Sequence, residues 1–94
     1  MTYPTAHPPP RRGDYILVYE YDPAFSIVCE YLWSEGGNIH GAPHKLYTVI
    51  TKGGQAMIVV RYKRLDTHKH RGWKRSNHPL NMDKYRKYQA KKET

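Results

Sequence analysis

A chain of 94 residues with 38% hydrophobic content can make one domain with a modest core. Its net charge of +8 is unevenly placed: residues 1–60 carry four Lys/Arg against five Asp/Glu, and residues 61–94 carry twelve against three. Cys29 is the only cysteine, which excludes an intrachain disulfide framework, and no apolar run approaches the ~20 residues that span a bilayer.

Met1 to Arg12 has no apolar h-region, so no signal peptide is read there, and the expectation is an intracellular, soluble protein. A soluble domain does not need the charge asymmetry to fold, because like charge opposes compaction. The pattern points to a folded core over 14–65, followed by a basic, aromatic-studded arm over 66–94 that meets a polyanion. Thirteen of the fifteen Ile, Leu and Val residues lie between Ile16 and Val60, so the core is expected there.

Residues 1–13 (MTYPTAHPPPRRG) form a Pro-rich arm, whose four prolines fix φ and remove backbone donors. Tyr15–Tyr21 reads as a strand, β-branched and aromatic, with Ile16 and Val18 on one face and tyrosines on the other. Residues 23–35 fit two periods. At period 2, Phe25, Ile27, Cys29, Tyr31 and Trp33 share a face; at period 3.6, Phe25, Val28, Cys29, Leu32 and Trp33 do. Asp22 as N-cap, Pro23 as N1 and Gly36 just past the end favour the helix, and the helix is taken.

Gly36 to His44 reads as a loop. Leu46–Thr51 and Ala56–Lys63 read as strands, joined by a Lys52-Gly53-Gly54-Gln55 turn in which Gly accepts positive φ. The expected fold class is therefore α+β: a β-α-β-β core with a three-stranded mixed sheet and one helix, then a basic tail. If residues 23–35 are instead a strand, the alternative is a small all-β barrel. Thr67 to Asn77 has no period and reads as a linker that orders on binding. Residues 81–92 form a C-terminal helix capped by Asn81, with Lys84, Lys87 and Lys91 as a basic stripe.

The basic segment mixes cations with flat side chains, which is what phosphates and unstacked bases require. The nucleic-acid-binding candidates are Arg61, Lys63, Arg64, Lys69, Arg71, Trp73, Lys74, Arg75, Lys84 and Lys87. Neutralising about six phosphates implies a slope of log K against log[salt] of about −5. His68 and His70 are candidate catalytic residues for metal-independent RNA cleavage, which needs a base, an acid and cations on the phosphate. No metal site is expected, because His40 and His44, and His68 and His70, lack zinc spacing and a thiol partner. No cofactor is expected. Trp73 has a second reading, as a core residue on a chain that doubles back onto the body.

Arg11-Arg12-Gly13-Asp14-Tyr15 through Asp22-Pro23 resembles the opening of MazF-type endoribonuclease toxins over about a seventh of the chain. The apolar strand that follows a basic loop in that family is replaced here by the candidate helix. The β-α-β-β order is also similar to that of RNA-recognition-motif domains. Gly54, Gln55 and Ala56 stand where that family places aromatic and small residues, and the fourth strand is missing. No residue role is carried over from either family.

The expected function is a small basic protein that binds RNA or single strands through its C-terminal third. The alternatives are an accessory or inhibitor subunit docking on a large assembly through its arms, and a metal-independent endoribonuclease. The partners are thus nucleic acid, with a protein partner or a homo-oligomer as the alternative, and no membrane.

Overall fold

Five consecutive strands form the body of the computed structural model, which describes residues 9–20, 25–63 and 71–93. The strands are β1 (Tyr15–Tyr19), β2 (Ser26–Ile39), β3 (Ala42–Thr51), β4 (Ala56–Lys63) and β5 (Arg71–Ser76). They run as an antiparallel meander, and β5 returns beside β1 in parallel to close a barrel. A helix, α1 (Met82–Glu93), follows. In the body of the barrel every strand is paired on both sides, which suits a core this small.

The barrel interior is filled by Ile16 and Val18 from β1, Cys29 from β2, Val49 from β3, and Met57 and Val59 from β4. Each sits at an alternate position of its strand, and Val18, Val49 and Val59 have no solvent exposure. Burying a side chain of this size contributes about 1.5–3 kcal/mol. On the outer wall the Tyr19 ring lies against Gly72, where a Cβ would overlap it, so β5 can lie under that ring only with glycine at this position.

This architecture overturns the α+β reading. Where a helix was expected over residues 23–35, β2 runs from Ser26, pairing with β1 on one side (Ile16 with Cys29) and β3 on the other (Tyr31 with Val49). A β-bulge at Leu32 explains the false helical stripe. The extra residue shifts the phase of β2 between Tyr31 and Trp33, so Cys29, Leu32 and Trp33 are all buried at spacings of three and four. Phe25 and Val28, which the helical stripe would bury, are exposed. Asp22 and Pro23, the expected cap, lie outside the described residues. Gly36 is a residue of β2 opposite Lys45.

The predicted loop 36–44 is instead the far end of the β2–β3 hairpin, turning at His40 (φ 50°) and Gly41 (φ 81°). The predicted basic tail supplies the closing strand: β5 pairs along β4 from Ile58–Ser76 to Lys63–Arg71, which puts Trp73 on the barrel wall. The all-β barrel named as the alternative is the class the chain adopts, with one C-terminal helix added.

Helix α1 starts where Asn81 caps it, its Oδ1 accepting from the Lys84 amide at 3.1 Å while its Nδ2 reaches Glu35 on β2 at 3.5 Å. Tyr85 and Tyr88 pack on Leu32 and Trp33 of β2 and on Ile50 and Ala56, forming a second cluster outside the barrel. Arg12 ties this layer to the body. Its Nε donates to the Leu32 carbonyl at the bulge (3.1 Å), and its guanidinium lies 5.7 Å from the Tyr88 ring centre. No helix among the described residues is long and apolar enough to cross a membrane.

Candidate nucleic-acid interface

Beyond the Tyr47–Val59 pair, β3 and β4 part company. The β2–β3 hairpin continues to Ile39–Ala42, and the β4–β5 pair continues to Lys63–Arg71. Inward-facing side chains regain solvent where the two ribbons diverge. On β3, Val49 is buried, Tyr47 partly exposed and Lys45 exposed; on β4, Val59 is buried and Arg61 partly exposed. Trp73, paired with Arg61 on β5, is partly exposed as well.

These residues meet. The Tyr47 and Trp73 rings are edge to face, 4.4 Å between centres at 78°, and the buried Tyr31 ring backs Tyr47 at 6.0 Å. The Arg61 guanidinium lies 5.8 Å from the Trp73 ring centre and the Lys45 ammonium 6.0 Å from that of Tyr47. The mouth of the barrel thus presents two flat rings held by the core, each with a cation beside it. Ring faces of this kind accept nucleobases, and flanking cations accept the phosphates between them.

Of the ten residues expected to bind nucleic acid, Arg61 and Trp73 stand at this mouth. Lys63 and Arg71 are backbone partners in register where β4 ends and β5 begins. Lys74 points to the outer side of β5. The Arg75 guanidinium is engaged by Glu20 at 3.1 Å, an ion pair that also bridges β5 to the end of β1. Lys84 is on α1, its ammonium 5.2 Å from the Trp33 ring centre, and Lys87 is exposed on the same helix. Arg64, Lys69, His68 and His70 lie outside the described residues.

Sequence reasoning missed Lys45 and Tyr47. The usable signal was alternation on β3: with Val49 assigned to the core, Tyr47 and Lys45 follow on the same face. Trp73 takes the second of its two readings in part, since it packs against the barrel core while keeping exposed surface.

No group of three or more His, Cys, Asp or Glu side chains that could hold a metal ion occurs among the described residues. Cys29 lies inside the barrel. Burial, with the Glu20 carboxylate as the smaller cause, pushes its thiol from the ordinary 9.0 up to about 11, so it stays a neutral core group at neutral pH. No family model, curated protein or solved structure matches this chain.

Proposed function

We propose that the protein binds single-stranded nucleic acid, RNA in the first place, at the mouth of its barrel. The observation that carries this reading is the Tyr47–Trp73 pair with Arg61 and Lys45 beside the rings, rigid at its base and open at its rim. A base entering over Trp73 takes the place of the Arg61 guanidinium, which then swings to a phosphate. Lys45 plays the same part beside Tyr47. Duplex recognition fits less well, because paired bases do not offer their faces. The basic remainder of residues 61–94 adds counterion release without sequence preference.

The test is a titration of mixed-sequence single-stranded RNA followed by tryptophan fluorescence, repeated across a salt series. Binding at the mouth requires quenching, and a steep fall of affinity with salt. Salt-insensitive binding, or equal affinity for a blunt duplex of the same length, would reject it.

A further inference from the structure

The end of the β2–β3 hairpin comes back against the outer side of β4 and β5 and encloses a cleft of about 430 Å³. Lys74 and Val60 line it from positions that face away from the barrel interior, opposite in direction to Trp73 and Arg61, so the cleft is distinct from the mouth. Asn38 and His40 line it from the hairpin, and Ser76 and His78 from the segment that leaves β5.

Lys74 carries a positive charge, His40 and His78 bring imidazoles, Asn38 and Ser76 are neutral hydrogen-bonding groups, and no carboxylate is among the lining residues. Arg75 also borders the cleft, with its charge engaged by Glu20. No carboxylate among the described residues pairs with Lys74. His78 is held in place: its Nδ1 donates to the Pro79 carbonyl at 3.2 Å and its backbone N–H donates to the Ser76 hydroxyl at 3.2 Å. Its Nε2 lies against Gly37, 3.2 Å from where a Cβ would stand. His40 is fixed at the hairpin turn by its left-handed backbone (φ 50°).

We infer that this cleft binds the phosphate ester of a nucleotide. Lys74 supplies the full charge, the His40 imidazole and the Ser76 hydroxyl supply further hydrogen-bonding groups, and His78, its ring nitrogens turned to Pro79 and Gly37, shapes the wall. Val60 offers an apolar surface to the sugar or base, within a volume in the range of small-molecule sites. The phosphate can belong to a free nucleotide or to a strand. The inference stands apart from the mouth and does not need it.

The experiment is an amide-resonance titration of the full chain with AMP, adenosine and inorganic phosphate, using Lys74→Gln with His78→Gln as the test variant. His40→Asn serves as a second variant, since Asn tolerates positive φ and keeps the turn. AMP is expected to give saturable shifts at Asn38, His40, Ser76 and His78 that adenosine does not. The double variant is expected to weaken AMP by about tenfold, and Lys52→Gln, in the exposed turn between β3 and β4, is expected to leave the shifts at these residues unchanged. If the double variant also loses affinity for 5′-phosphorylated over 5′-hydroxyl oligonucleotide, the ligand is a strand end; if AMP alone is affected, it is a free nucleotide. Absence of saturable shifts with AMP, or shifts that persist undiminished in the double variant and in His40→Asn, overturns the inference.

Discussion

The chain has two tryptophans, each with a cation beside its ring and at least one tyrosine against it, and the two are not equivalent. Trp33 lies outside the barrel under helix α1, with Tyr85 at 6.5 Å, Tyr88 at 5.8 Å and Lys84 at 5.2 Å, and is only 6% exposed. Trp73 lies at the barrel mouth with Tyr47 and Arg61, and part of its ring surface meets solvent. A cation beside an aromatic ring is therefore no mark of a ligand site by itself. What separates the two is coverage: helix α1 occupies the partner's place at Trp33, and the diverging ribbons leave that place open at Trp73.

The largest effects divide the two residues most sharply. Trp33→Ala removes the centre of the covered cluster and is expected to cost about 3–5 kcal/mol in a denaturant melt, with RNA affinity of the folded fraction unchanged. Trp73→Ala is expected to cost less stability, roughly 2 kcal/mol, because the side chain is only partly buried, and to weaken RNA binding by about 1–3 kcal/mol. If the two variants exchange these signatures, the division between them collapses.

Next in size is a pH effect from the core behind the mouth. The folded state holds the Cys29 thiol protonated to about pH 11, whereas the unfolded chain releases that proton near its ordinary 9.0. The unfolded state thus binds fewer protons between these values, and stability falls as pH rises through the window, by about 2–3 kcal/mol from this group. Melts at pH 8 and at alkaline pH, compared with Cys29→Ala, isolate the contribution; identical slopes in both proteins would mean that water reaches the thiol.

The smallest effect concerns the covered layer. Thr48 is fully buried, and neither its hydroxyl nor the Trp33 indole N–H has a hydrogen-bond partner among the described residues. Thr48→Val keeps the shape and removes an unsatisfied group, so a gain of about 1 kcal/mol is expected in the same melt. A loss of that size would show that the hydroxyl has a partner, and that the layer beneath α1 is wet.

Legibility followed locality. The hairpin turn at Gly53-Gly54, the strand Ala56–Lys63 and the capped helix near Asn81 each depend on neighbours in sequence, and each can be read from it. Strand β2 could not, because its phase changes at Leu32, and that bulge is set by what β3 and Arg12 do there. β5 was hidden for another reason. Its Lys74 and Arg75 are exposed, its single large inward residue is Trp73, and β1, the partner that closes the barrel, lies far off in sequence. Half of the mouth, Arg61 and Trp73, was visible as charge next to an aromatic. The other half, Lys45 and Tyr47, was carried only by alternation on β3, and its meeting with that pair is a product of the fold.

The most direct measurement compares two pairs of cations of equal charge on the two aromatic clusters. Lys45→Gln with Arg61→Gln strips the mouth, and Lys84→Gln with Lys87→Gln strips the helix that covers Trp33. Titrated with one mixed-sequence single-stranded RNA at fixed salt, the mouth pair is expected to lose about tenfold in affinity, together with most of the tryptophan quenching. The helix pair is expected to lose about twofold with quenching intact. Equal losses from both pairs, or a greater loss from the helix pair, would contradict binding at the mouth of the barrel.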